Sequence, residues 1–331
     1  MTSPFVLLTN PIDDQVSSQL AQRLQVRLAS SPDPETLKKE AIDASFIIVR
    51  APLPADLFGR ATRLRGVVRH GAGLDMIPVD QASRHGVAVA NVPAVNAASV
   101  AEYAVGQMVA LARQLPRIDA QVRKSSWNGA RALADCGEEL QGKTVVIVGM
   151  GAVGQAVTRI CALGFGMRVL GVRRTQQADT EMVRHTSLND ALPQADYLVL
   201  ACPLDESTRG LIGAPQLALM KTGARLVNVS RGAVVDEDAL IAALTTKQLA
   251  GAALDVFSVQ PLPADSPLRE LPNVLLSPHL AGITQESMRR MSELAAAQVL
   301  EMLEGRLPRH FVNREARELI LERWSNLNST S

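Results

Sequence analysis

The sequence predicts an α/β fold built from two parallel-sheet domains. Three observations lead there. Short β-rich apolar runs alternate with helical stretches along nearly the whole chain. The runs are continuously apolar, as expected of strands buried on both faces beneath crossover helices. Ten such runs are many for one open sheet, and 331 residues exceed the usual span of one domain.

The candidate strands are residues 5–9, 46–50, 66–69, 87–90, 144–149, 168–172, 196–201, 224–228, 250–255 and 274–276. A boundary is expected near NVPAVNAASVAEY, punctuated by Pro93 and Asn96, with a long helix from about Ala98. On that helix Val100, Ala104, Met108 and Leu111 recur at helical spacing, an apolar stripe. A second long helix is predicted from about Gln285 to Glu304, with Gly305 as its C-cap. The closing residues NLNSTS are expected to fray.

Composition excludes several function classes. With 47% hydrophobic and 20% charged residues the chain reads as an ordinary globular protein with ample core. A net charge of +1 provides no pull toward nucleic acid or an anionic membrane. Cys136, Cys161 and Cys202 are odd in number and widely spaced, so they suggest neither a disulfide framework nor a metal site. The opening MTSPFVLLTNPIDD lacks a basic n-region and a long apolar core, and no run reaches membrane-spanning length. A reducing, cytoplasmic setting is the expectation.

The segment GKTVVIVGMGAVGQAV carries a GxGxxG pattern, Gly149, Gly151 and Gly154, with Ala152 and Val153 between the last two. Alone that pattern is weak. Here it directly follows a predicted strand and opens a predicted helix, the context a dinucleotide site requires. Gly149 permits the tight turn, Gly151 lets backbone approach a pyrophosphate, and Gly154 lets the helix pack on the strand. The anion then sits at a helix N-terminus.

RVLGVRRT ends the next strand about 20 residues past Gly154, where an NAD site commonly carries an acid for the ribose 2′-OH. Arg173 and Arg174, with the hydroxyl of Thr175, instead suit the 2′-phosphate of NADP. NADP(H) is therefore the preferred cofactor and NAD(H) the alternative.

At this point the chain resembles the D-isomer-specific 2-hydroxyacid dehydrogenase family over nearly its full length. HGAGLDMIPVDQASRHGVAVANVPAVNAASVAEYAVGQMVALAR resembles the first long signature, and ELQGKTVVIVGMGAVGQAVTRICALGFGMRVL the nucleotide signature. ACPLDESTRGLIG resembles a loop that usually reads PLTPETRG. LVNVSRGAVVDEDAL and LDVFSVQPLPADSPLRELPNVLLSPHLAG resemble the two closing signatures.

The resemblance implies two Rossmann-like or flavodoxin-like domains with a deep cleft between them. Residues 98–287 would be the dinucleotide-binding domain, and residues 1–97 with 288–331 the catalytic, substrate-and-lid domain. It also implies a homodimer built on the helix after VAE.

Reducing a 2-oxo acid needs a hydride donor, a cation for the carboxylate and carbonyl, and a proton for the new alkoxide. Arg231 in NVSRG matches the family arginine, whose forked donors suit carboxylate and developing negative charge. His279 in SPHLAG matches the family acid/base. His85, His185 and His310 lack such context and are expected at the surface, whereas His70, beside the presumed substrate loop, stays open.

One departure stands out. Where the family has Glu before Pro-Leu-Pro, paired with the histidine, this chain has Gln260. A carboxylate beside imidazole raises its pKa by about 1–3 units, whereas an amide can only orient the ring. The chain is then either an enzyme whose histidine titrates lower than in relatives, or a binding protein derived from one.

Further matches concern binding. Asp255 in LDVF matches the aspartate that binds the nicotinamide carboxamide, and Cys202 with Pro203 the loop beside adenine and ribose. The DES that follows, in place of TPE, is read as a solvent-facing change. Ala72 and Gly73 match the loop whose N–H groups hold the substrate carboxylate. Arg50 ends a strand and suits a substrate-facing position or a structural ion pair, and Trp127 matches a tryptophan that usually packs.

Nothing resembles the regulatory domain of longer phosphoglycerate dehydrogenases, and the segment from Arg50 to Phe58 has too few arginines for a phosphorylated substrate. These features favour an NADPH-dependent glyoxylate or hydroxypyruvate type reductase making a D-2-hydroxy acid. The runners-up are a short phosphoglycerate dehydrogenase and a nucleotide-sensing binding protein.

Overall fold

The computed structural model describes residues 3–124, 127–175 and 177–329. The chain divides into two compact units, Met1–Asn96 with Thr284–Ser331, and Ala97–Ile283. The second crossing lies ahead of the 287/288 division expected. The reason is local: Thr284 caps the helix Gln285–Leu303 by accepting from the Ser287 N–H, so the break precedes the cap.

The first unit holds β1 (Phe5–Leu8), β2 (Gln25–Leu28), β3 (Phe46–Val49), β4 (Gly66–Arg69) and β5 (Ala88–Ala90). They pair in parallel in the order β2-β1-β3-β4-β5, the flavodoxin-like order. Alternate residues feed opposite cores. Phe46 and Ile48 pack with Met291, Ala295 and Val299 of the long helix, while Ile47 and Val49 pack with Leu37, Leu57 and Phe58. A strand covered on both faces has no polar face, so its sequence shows no alternation.

The second unit holds β6 (Thr144–Val148), β7 (Arg168–Val172), β8 (Arg184–His185), β9 (Tyr197–Leu200), β10 (Ala224–Asn228), β11 (Leu249–Leu254) and β12 (Val274–Leu276). All are parallel, in the order β12-β11-β10-β9-β6-β7-β8. Counted within the unit, this is the Rossmann order 3-2-1-4-5-6 with one added strand. The order reverses between β6 and β9, which makes that seam the switch point.

Several expectations need correction. β2 and β8 were not foreseen, because both are edge strands with polar residues where central strands are apolar. The apolar stripe on helix Ala97–Arg113 needs no correction, being ordinary core as a stripe of this kind usually is: Ala104, Met108 and Leu111 pack with Val145, Val157 and Val199 of the same unit, and Val100 is buried as well. Trp127 does not pack; it is 73% exposed at the start of helix Trp127–Ala134. His185 and His310 are half-buried, and only His85 is fully at the surface. The first four residues of NLNSTS close the helix Arg317–Ser329, and the last two lie outside the described residues. Among the described residues no helix is long and apolar enough to cross a membrane.

His70 directly follows β4 and is 3% exposed. Ser292 Oγ gives its proton to Met288 O at 2.8 Å and accepts from Asp13 N at 3.0 Å, so His70 Nε2, 2.9 Å away, is the donor to it. Burial first, and then the charges of Arg50 and Arg69, push the His70 pKa from 6.5 down to about 3. Between those values the unfolded chain holds a proton that the folded chain refuses. Stability from this group is therefore complete above pH 6.5 and is lost as pH falls toward 3. The slope is at most about 1.4 kcal/mol per pH unit. In a His70→Gln variant, which keeps an N–H donor but cannot titrate, the fall in melting temperature between neutral pH and pH 4 should flatten. Identical acid profiles for the two proteins would contradict the assignment.

Candidate active site

In a parallel sheet every carboxyl end lies along one edge. In the second unit that edge carries Gly149 after β6, Arg173 after β7, Cys202 after β9, Arg231 after β10, Asp255 after β11 and His279 after β12. Six strands thus deliver six of the sequence-predicted residues to the end where open α/β sheets bind ligands.

The cradle at the switch point fits a dinucleotide. Gly149 has φ +97°, and a Cβ there would sit 2.5 Å from Cys202 N, just past the neighbouring strand β9. Only glycine satisfies both limits. A Cβ on Gly154 would strike the Gly149 carbonyl, so helix and strand could not close together. Gly151 faces open space and caps the helix Ala152–Arg159 without any side-chain bond. The first N–H groups of that helix, from Ala152, Val153 and Gly154, thus point at a space a pyrophosphate would fill.

Arg173, Arg174 and Thr175 are all exposed at the end of β7. Arg174 lies 3.5 Å from the Asp205 carboxylate. Asp205 also organises its own turn: Oδ1 accepts from Ser207 Oγ at 2.6 Å, Ser207 N at 2.9 Å and Thr208 N at 3.2 Å. The Ser207 hydroxyl, foremost among these contacts, holds the Asp205 carboxyl below the usual range. The DES sequence is therefore more than a solvent-facing change; its aspartate meets Arg174, one of the two arginines. Cys202 is buried, which pushes its thiol pKa up, and Pro203 beside it is exposed.

Arg231 follows β10 through a self-braced loop. Asn228 Oδ1 accepts from Ser230 N and Oγ at 3.0 and 2.7 Å, and its Nδ2 donates to Arg231 O at 3.0 Å. The Arg231 guanidinium donates to Ser230 O at 2.7 Å. His279 is exposed, with its backbone at φ +56°. A left-handed histidine costs about 1–3 kcal/mol and persists only where its surroundings hold it.

Gln260 Nε2 faces Phe257 O at 3.4 Å, so Oε1 is left to accept from His279 Nδ1 at 3.1 Å. The other ring nitrogen, Nε2, is then the one that can carry a proton to a ligand.

Asp255 is 2% exposed. Its carboxylate accepts from Ser277 Oγ at 2.6 Å and from the N–H groups of Leu280 and Ala281, each at 2.8 Å.

The first unit places its candidates separately. Among the described residues nothing accepts the N–H groups of Ala72 and Gly73, whose carbonyls take Asn91 Nδ2 at 2.7 Å and Arg69 Nε at 3.2 Å. Among the described residues Arg50 forms no ion pair. Its guanidinium donates to Pro11 O, and burial lowers its pKa.

The family model for D-isomer specific 2-hydroxyacid dehydrogenase, NAD binding domain, matches residues 105–281. A glyoxylate reductase of Korarchaeum cryptofilum is 36% identical over 94% of this chain and 96% of its own. The chain belongs to the D-isomer-specific 2-hydroxyacid dehydrogenase family. Membership makes it a nicotinamide-dependent oxidoreductase, with the cradle above inside the nucleotide-binding unit.

Two other family members mark the range. A D-3-phosphoglycerate dehydrogenase of Methanocaldococcus jannaschii is 34% identical over 93% of this chain but only 59% of its own. The solved NADPH-dependent glyoxylate/hydroxypyruvate reductase of Sinorhizobium meliloti, in complex with NADP and malonate, superposes with a TM-score of 0.82 at 28% identity. It covers 94% of this chain and 97% of that one.

Sequence reasoning missed Asn228, Asp205, Ser277 and Tyr103 around these family residues. For Asp205 a signal existed, since Asp followed by Ser and Thr is the pattern of a side-chain-closed turn. For Tyr103 there was none, because its partner lies far along the chain.

Proposed function

We propose that this dehydrogenase reduces a small 2-oxo acid of the glyoxylate or hydroxypyruvate type to the D-2-hydroxy acid, preferring NADPH. One observation carries the reading. His279, paired through Nδ1 to Gln260, stands on the same sheet edge as the glycine cradle and Arg231.

The bound cofactor supplies the hydride. Arg231 holds the substrate carboxylate and polarises the carbonyl. His279 Nε2 gives a proton to the developing alkoxide, and in the reverse direction takes it back. Gln260 keeps the ring oriented. Asp255 retains about one of a carboxylate's four acceptor directions for a carboxamide N–H. Cys202 and Pro203 shape the wall beside the adenine ribose.

Arg173, Arg174 and Thr175 take the 2′-phosphate. The exposed Arg174–Asp205 pair is worth too little to compete with a dianion. In the first unit Ala72 and Gly73 offer two unclaimed N–H groups to a carboxylate, and Arg50 adds positive charge. The exposed Leu115, Val122 and Trp127 on the helices after Arg113 favour a homodimer.

Gln260→Glu sets a carboxylate against the imidazole and favours its charged form. Reduction needs that form, so the pH at which reduction fades should move upward. Both groups are exposed, which holds the shift to about 1 unit. An unmoved limb in the rate profile would mean that His279 is not the titrating group.

The test of the reading is turnover of NADPH with glyoxylate, hydroxypyruvate and phosphohydroxypyruvate offered in turn, with the product's handedness resolved. Turnover on the first two is expected, with hydroxypyruvate giving the D-2-hydroxy acid and glyoxylate the achiral glycolate. Turnover confined to the phosphorylated acid would make the chain a phosphoglycerate dehydrogenase.

A further inference from the structure

The left-handed backbone of His279 is held by two half-buried hydroxyls that end on the buried carboxylate of Asp255. Ser277, the first residue after β12, gives its proton to Asp255 Oδ1 at 2.6 Å. Tyr103, on the helix Ala97–Arg113, lies within hydrogen-bond distance of the same Ser277 oxygen. With the serine proton committed to the carboxylate, the phenol must be the donor. Burial pushes the Tyr103 pKa up, which keeps that proton in place at neutral pH.

Everything after Ser277 then wraps around Asp255. His279 N donates to Asp255 O at 2.8 Å and to Ser277 O at 3.1 Å. Leu280 N and Ala281 N donate to the Asp255 carboxylate at 2.8 Å each. Ser277 N donates to Leu254 O, and Asp255 N to Asn228 O, which ties the clamp to β10 and β11. The one residue of the loop in left-handed space is flanked on both sides by bonds to a single buried side chain.

We propose that Tyr103 and Ser277 are positioning residues: through Asp255 they fix the loop Ser277–Ala281 so that His279 presents its ring to Gln260 and to substrate. Tyr103 fixes the serine oxygen, and the serine proton fixes the carboxylate. The carboxylate in turn collects the two amides that follow the histidine. Loss of the serine hydroxyl leaves Asp255 free to turn and the tyrosine without its acceptor. The inference rests on His279 being the proton donor, so its test needs one readout independent of turnover.

Ser277→Ala, Ser277→Thr and Tyr103→Phe would be compared in the full-length protein. Two measurements are made: steady-state kinetics with NADPH and hydroxypyruvate, and amide hydrogen exchange across residues 277–281. Ser277→Ala should lower kcat by about 10- to 100-fold with KM within about threefold, as for a misplaced catalytic group. It should also speed exchange at Leu280 and Ala281 by at least about tenfold, with the melting temperature nearly unchanged.

Ser277→Thr keeps the hydroxyl and should recover kcat to within about threefold. Tyr103→Phe should fall between the two, and it carries the test if Ser277→Ala fails to fold. Wild-type exchange in both Ser277→Ala and Tyr103→Phe overturns the clamp. Faster exchange with wild-type kcat overturns the positioning role while leaving the clamp. If His279→Asn also keeps full activity, it is the proton-donor reading that has failed.

Discussion

Replacing Arg173 and Arg174 together by serine should weaken NADPH binding by about 100- to 1000-fold while NADH binding stays within about threefold. A charge-assisted hydrogen bond to an anion contributes about 1.5–3 kcal/mol. The two arginines sit in solvent, where salt screens them, so their joint contribution is reduced to about 3–4 kcal/mol. At about 1.4 kcal/mol per decade this is the stated range. The loss is specific because NADH has no group for these side chains to hold. Quenching of reduced-nicotinamide fluorescence reads both affinities directly. Equal loss of both cofactors would show that the arginines hold the shared part of the molecule. No loss of either would make RVLGVRRT a solvated basic turn.

His279→Asn should lower kcat for hydroxypyruvate reduction by about 10²- to 10⁴-fold, the usual contribution of a positioned acid. Asparagine is the informative replacement because it tolerates the left-handed φ of +56° that most residues resist. The side chain is exposed, so folding and the melting temperature should be unaffected. NADPH affinity should change by less than about threefold, since the phosphate-binding cradle and the arginine pair lie after β6 and β7. A variant with wild-type kcat would remove His279 from the mechanism. One that loses cofactor binding in parallel would turn it into a binding residue.

Much of this was readable from one sequence, for identifiable reasons. Continuous apolar runs such as FIIV and VVIV mark strands covered on both faces, and both sheets place them at their centres. The strands that escaped, QVRL and RH, lie at sheet edges, where half the surroundings are water and the apolar signal disappears. Gly149 and Gly154 were readable because the fold leaves no room for a side chain there, whereas Gly151 was readable only from its place in the pattern.

The stripe on the helix Ala97–Arg113 was legible as apolar, but periodicity cannot say what covers it, and the cover proved to be its own sheet. Trp127 shows the reverse case, a large apolar side chain in solvent. Around the site, the Tyr103–Ser277–Asp255 chain joins residues that lie far apart in sequence. Only the parallel packing of β11 and β12 beside that helix brings them together.

The account stands or falls on chemistry at Gln260-paired His279. The most direct measurement is reduced-nicotinamide absorbance after mixing the protein, loaded with NADPH and with further NADPH in excess, with hydroxypyruvate, followed through the first turnover and beyond. Loss of absorbance matching the enzyme present, continuing in the steady state until NADPH is consumed, is the predicted result. Tight NADPH binding with no loss of absorbance on hydroxypyruvate, glyoxylate or phosphohydroxypyruvate would contradict it, and would mark the chain as a nucleotide-binding protein whose Gln260 records lost catalysis.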